Sequence, residues 1–150
     1  MFGTSGVRGP VGEEVTAGLA LDVGRALATD GAATVVVGRD ARDSGRMLSR
    51  ALVAGLTECG ADVIHVGVEA TPTVARAVAR EGADAGVVVT ASHNPAPDNG
   101  IKLWTESGRA FGDERNDRIS EIVETEAVDL AAADASGAGP PVAVARCVGR

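Results

Sequence analysis

Apolar residues recur along this chain in two alternating rhythms. Leu19, Ala20, Val23, Ala26 and Leu27 fall on one face of a helix, with Thr16 placed to cap its start and Asp30-Gly31 to end it. Thr34 to Gly38 (TVVVG) follows as an unbroken β-branched run, the pattern of a strand buried on both faces. The alternation then repeats. Ser44 can cap a helix that carries Leu48, Leu52, Leu56 and Cys59 along one side, and Asp62 to Val66 reads as a second strand. Thr71 or Thr73 opens a helix through Arg80, and Ala85 to Val89 is a third buried strand. Strands alternating with amphipathic helices predict a layered α/β domain with a mixed, mostly parallel sheet flanked by helices.

The remaining segments are patterned differently. Residues 2–12, FGTSGVRGPVG, read as a glycine-rich loop with Arg8 near its centre. Asp98-Asn99-Gly100 reads as a turn into a fourth strand, Ile101 to Trp104, which can return antiparallel and pair with Gly108 to Phe111. Asp113 to Glu126 is an acidic helix with Ile119, Ile122 and Val123 inward and a solvated charged face. From Ala127 to Pro141 the chain is rich in Ala, Gly, Asp and Pro, which reads as a linker, and the final residues hold at most one short strand. The expected division is therefore one domain over 1–126, then a linking segment over 127–150.

Composition narrows the function classes. With 150 residues and 45% apolar content the chain can bury a real core, and with only Phe2, Phe111 and Trp104 as aromatics that core must be aliphatic. A formal net charge of -7 argues against nucleic acid or an anionic membrane as the main partner. Cys59 and Cys147 lack metal-ligand spacing, and two reduced thiols suit a cytoplasmic protein. The N-terminus has no basic segment followed by an apolar run, and no apolar stretch reaches bilayer length, so an intracellular soluble protein is expected.

One bias bears on chemistry. Of 14 basic residues 13 are Arg, and Lys102 is the sole Lys. An ammonium can lose its proton near neutral pH when its surroundings lower its pKa, whereas a guanidinium effectively cannot. That makes Lys102 a candidate acid/base group, set against the alternative of a solvated surface lysine.

In an open parallel sheet, ligands bind beyond the carboxyl ends of the strands. Three such ends occur here: GRDAR, VEATPT and TASHNP. Ser92 follows a buried strand, so its hydroxyl is expected at the working edge of the sheet. Pro95 biases Asn94 away from helix and Gly100 lets the loop fold back, so Lys102 can face the same pocket. Serine needs help to act as a nucleophile. His93 is adjacent, but neighbours on an extended chain point to opposite faces, which disfavours it as the direct base.

Other motifs are missing. The chain has no G-x-S-x-G elbow, no P-loop and no dinucleotide fingerprint. What remains is a small polar site suited to an anion. Arg8 and Arg39 can supply guanidinium forks for phosphate, with an ion pair to Asp40 or Asp43 as the alternative for Arg39. Arg46 and Arg50 read as solvated, and His65, inside an apolar strand, reads as structural.

Three segments resemble the α-D-phosphohexomutase family of phosphoglucomutases, phosphomannomutases and phosphoglucosamine mutases. They occur in the family's order: FGTSGVRG at 2–9, GRDAR at 38–42 and TASHNPAPDNGIK at 90–102. The resemblance implies a phosphorylated Ser92 that gives its phosphoryl group to a hexose monophosphate, forming a hexose 1,6-bisphosphate that then returns its other phosphoryl group. It implies a general acid/base role for Lys102, a site shared by His93 and Arg8, and phosphate or substrate contacts from Ser5, Arg39 and Asn94. It also implies Mg²⁺ bound to the Ser92 phosphate and to a loop of aspartates.

The match covers the first of the family's four domains. The aspartate-rich D-G-D-x-D-R segment does not occur in these 150 residues, nor do the sugar-recognition and phosphate-binding loops of the later domains. The expectation is a phosphoserine-bearing domain I that partners domains II–IV and has no appreciable mutase activity by itself. Ser5 leans the sugar toward glucose or mannose, with glucosamine as the alternative. A stand-alone sugar-phosphate-binding module is the competing reading, and a phosphatase or phosphotransferase of another type would need metal ligands that this sequence does not offer.

Overall fold

Residues 2, 3, 6–131 and 146–147 are described by the computed structural model. Their elements are, in order, β1 (Val7–Pro10), α1 (Ala17–Thr29), β2 (Thr34–Arg39), α2 (Ser44–Glu58), β3 (Asp62–Val68), α3 (Thr71–Arg80), β4 (Ala85–Val89), β5 (Asp98–Thr105), α4 (Asp113–Thr125) and β6 (Arg146–Cys147). The strands form one sheet in the order β1-β5-β4-β2-β3-β6. β4, β2, β3 and β6 run parallel to one another, while β5 runs antiparallel to both β4 and β1. The sheet is thus mixed and mostly parallel, as the alternating pattern predicts.

Period-two alternation distributes β2 and β4 between two cores. Val35, Val37, Val87 and Val89 face a cluster with Val23 and Leu27 of α1, Leu48, Leu52 and Leu56 of α2, and Ile119 of α4. Val36 and Val88 face the other way, onto Val74, Ala77 and Val78 of α3. Helices on both faces explain why these strands read as continuous apolar runs.

Helices α1 and α2 pack backbone to backbone. A Cβ on Gly24 would lie 2.2 Å from the Leu52 carbonyl oxygen, and one on Gly55 only 2.0 Å from that of Leu21. Only glycine fits at either crossing point.

Thr16 caps α1, its hydroxyl accepting from the Leu19 amide at 3.0 Å. Three other expectations change. The opening segment is not loop throughout: Val7–Pro10 is an edge strand, with Arg8 opposite Gly100. Asp98-Asn99-Gly100 is not a turn but the first part of β5, because β1 pairs with all three residues and the Thr90 amide, just past β4, donates to the Gly100 carbonyl from the other side. Ser44 does not cap α2, whose N-cap is Asp43 with no side-chain cap bond; the Ser44 hydroxyl instead accepts from the Asn99 side chain at 2.9 Å. The expected pairing of Gly108–Phe111 with the fourth strand does form, through an antiparallel Trp104–Ala110 bridge flanked by the Thr105 amide donating to Arg109 and the Phe111 amide donating to Leu103. Most of the linker expected over 127–141 lies outside the described residues, and β6 adds two residues to the outer side of β3.

Candidate active site

β2 and β4 are parallel neighbours and end side by side, which brings GRDAR against the TASHNP turn. The Asp40 amide donates to the Val89 carbonyl. The buried Thr90 donates its hydroxyl to Asp40 Oδ2 at 2.7 Å, and its oxygen accepts from the Ser92 amide at 3.0 Å. Ser92 therefore leaves the strand on a defined path. Its φ is +56°, a left-handed conformation that an L-residue with a side chain adopts at a cost of about 1–3 kcal/mol. The turn points the exposed hydroxyl out of the sheet edge.

β5 carries the chain back. Lys102 pairs with Val88, on the face opposite buried Ile101 and Leu103. Its Nζ donates to Ser92 Oγ at 2.8 Å. Partial burial lowers the Lys102 pKa below its ordinary value, and the nearby Arg8 guanidinium lowers it further. Both effects disfavour the ammonium, so proton exchange comes closer to neutral pH.

Gly100 makes this return possible. A Cβ there would stand 2.6 Å from the Val7 carbonyl oxygen and 2.8 Å from that of Thr90, so β5 lies between its neighbours only with glycine at this point.

Arg8 reaches across from β1, its Nη1 donating to Asn94 Oδ1 at 3.0 Å, while Asn94 Nδ2 donates to Asp98 Oδ2 at 2.8 Å. Two hydrogen-bonded pairs, Ser92–Lys102 and Arg8–Asn94, thus share the site, and the Arg8 charge acts on Lys102 between them. His93 sits exposed in the same turn, and no hydrogen bond from its ring forms among the described residues. Arg39 goes elsewhere. It makes no ion pair among the described residues; its Nη1 donates to the Asp40 carbonyl at 3.1 Å, and its stem lies against Gly45. There it borders a small cavity with Ser49 and His65, away from the groove beside Ser92. Ser5 lies outside the described residues.

Arg42 is a participant that the sequence reading did not single out. Its guanidinium donates to the carbonyls of Ser92, Asn94, Pro95 and Asp98. The available signal was its place in GRDAR at a strand end, but carbonyl partners leave no mark in a sequence.

A metal is not held by this set alone. Among the described residues no group of three or more His, Cys, Asp or Glu is placed to share one. Asp40 is engaged by Thr90 and Arg42, and Asp98 by Asn94. No helix among the described residues is long and apolar enough to cross a membrane.

A phosphoglucosamine mutase from Rhodococcus opacus is 51% identical over 129 residues, covering 81% of this chain and 29% of its own length. A protein of Methanothermobacter thermautotrophicus described as a probable phosphoglucosamine mutase is 50% identical over 127 residues, covering 83% of this chain and 28% of its own. The chain thus spans less than a third of the length of these curated relatives. The crystal structure of a phosphoglucomutase/phosphomannomutase family protein from Burkholderia thailandensis superposes with a TM-score of 0.73 at 31% identity, over 87% of this chain and 32% of that one. Residues 1–129 match the family model for phosphoglucomutase/phosphomannomutase α/β/α domain I, and to that family this chain belongs.

Proposed function

We propose that this chain is the phosphoserine-bearing N-terminal domain of a phosphohexomutase, with Ser92 as the phosphoryl carrier and Lys102 as general acid/base. One observation carries the reading: the amine of the sequence's sole lysine stands 2.8 Å from an exposed hydroxyl at the carboxyl edge of the sheet. In the forward half-reaction the bond between Ser92 Oγ and phosphorus breaks, a sugar hydroxyl oxygen bonds to phosphorus, and the hydroxyl proton passes to neutral Lys102. In the return half-reaction the other phosphoryl group of the hexose 1,6-bisphosphate goes to Ser92 Oγ, and Lys102 gives the proton back to the sugar oxygen. Such transfer depends mainly on positioning and on neutralising charge over the phosphoryl oxygens, which Arg8 and Lys102 are placed to do.

On this reading residues 1–126 are domain I, residues 127–150 lead toward domain II, and the partners are a hexose phosphate and domains II–IV. Mg²⁺ would take one oxygen from the Ser92 phosphate and its other ligands from outside the described residues, and it would supply further charge neutralisation. The compartment is the cytoplasm, where hexose phosphates reside. The names of the relatives at 50–51% identity favour a glucosamine phosphate as the sugar, whereas Ser5 favours glucose or mannose. Assaying the complete enzyme on the 6-phosphates of all three sugars separates the two.

Phosphopeptide mapping of the protein isolated from its own cells is expected to find phosphate on Ser92; phosphate on another serine with Ser92 bare would overturn the assignment. In the complete enzyme Lys102→Arg keeps the charge and abolishes deprotonation. It is expected to lower kcat by about 10²-fold or more, and unchanged turnover would remove the acid/base role.

A further inference from the structure

The guanidinium of Arg42 is saturated. Its Nη1 donates to the carbonyls of Pro95 and Asp98, both at 2.9 Å, and its Nη2 to those of Ser92 at 3.2 Å and Asn94 at 2.7 Å. Its Nε donates to Asp40 Oδ2 at 3.3 Å, and its backbone amide to Asp40 Oδ1 at 3.0 Å. An arginine side chain has five N–H donors in a fixed fork, so none is left for a phosphate. The Asp40 oxygen that receives Nε also receives the Thr90 hydroxyl, whose oxygen accepts from the Ser92 amide. Ser92 is therefore held on both sides of its left-handed φ, at its amide through Thr90 and at its carbonyl directly by Arg42.

We infer that Arg42 is a positioning residue rather than a phosphate ligand: it clasps four carbonyls of the turn so that the Ser92 hydroxyl faces Lys102. No other side chain type can replace it. Lysine offers three donors from a single atom and cannot span four carbonyls spread over residues 92 to 98, whereas the planar fork reaches both strands of the turn. The consequence of the clasp for turnover rests on the proposed phosphoserine role; the clasp itself does not.

The test uses the unchanged chain first. In its guanidinium NMR spectrum Arg42 is expected to show four separate, slowly exchanging Nη protons, while exposed Arg50 shows averaged ones. Averaged signals for Arg42 would overturn the clasp, whatever happens to any variant. Because Lys102 is the sole lysine, lysine-selective labelling then gives one side-chain signal. Ser92→Ala defines its position without the serine contact, and Arg42→Lys is expected to move it at least half the way there while amides of β4 stay in place. If Arg42→Lys leaves the signal at the wild-type position, the inference fails. If wild type and Ser92→Ala coincide, the Ser92–Lys102 contact and the proposed function fail instead, and the guanidinium spectrum still decides on Arg42. In the complete enzyme Arg42→Lys is expected to lower kcat about tenfold or more with KM nearly unchanged, since the guanidinium spends its donors on the turn and Asp40.

Discussion

Lys102 combines two conditions that rarely meet in one lysine: a hydroxyl in contact with its amine, and a cation close enough to oppose its own charge. Burial is the larger cause of its lowered pKa and Arg8 the smaller, so Arg8→Gln should restore part of the shift and no more. The Lys102 titration midpoint is expected to rise in that variant while staying below the ordinary lysine value of 10.5. The sign carries through to catalysis. A lysine that acts as base works in its neutral form, so the alkaline-going limb of kcat against pH should move to higher pH in Arg8→Gln. The single lysine signal gives the midpoint directly, and an unmoved midpoint would show that Arg8 has no electrostatic part in the site. Ser92 presents the complementary case, in which backbone geometry carries the chemistry: its left-handed φ turns the hydroxyl out toward Lys102 instead of letting it continue along β4.

Between elements, the α1–α2 crossing is a backbone-to-backbone approach. With Gly24 and Gly55 the two backbones touch, and Gly55→Ala would drive a methyl group into the Leu21 carbonyl. Neither partner can yield cheaply, because backbone atoms and not flexible side chains oppose the new carbon. The expected net loss is about 1–3 kcal/mol in urea unfolding, the clash outweighing the roughly 1 kcal/mol that alanine otherwise gains over glycine in a helix interior. An unchanged or higher midpoint would mean that the helices separate without penalty. Buried strands and amphipathic helices were legible because β-branched runs and four-residue leucine spacing report burial directly. β1 and the start of β5 were not, since Gly9, Pro10, Asp98 and Asn99 carry turn chemistry and become strand only through each other. Ser44 was misread as a cap for a related reason: a serine before a helix cannot announce that Asn99, far along the chain, will claim its hydroxyl.

Across the whole molecule, the two ends of the sheet have different tasks. At the carboxyl edge of β2 and β4 stand Asp40, Arg42, Thr90 and Ser92, joined by hydrogen bonds and partly open to solvent. Ser92 and Lys102 could be placed there from sequence because a strand end and a sole lysine are local signals, whereas the places of Arg8 and Asn94 came with the family resemblance. Arg42 could not, because apart from the Asp40 carboxylate its guanidinium partners are main-chain carbonyls. At the opposite edge, the Asp84 carboxylate ties the chain together, Oδ2 accepting from the amides of Ala33 at 3.0 Å and Thr34 at 2.8 Å where β2 begins. Its position is exposed, so water can replace part of what is lost on mutation. Asp84→Ala is therefore expected to cost about 1 kcal/mol of stability and to leave the Lys102 signal where it is. Urea unfolding and the lysine spectrum, read on the same sample, check both halves. A moved lysine signal would mean that strain at the start of β2 reaches its far end through the sheet, and that the site is not insulated from the scaffold beneath it.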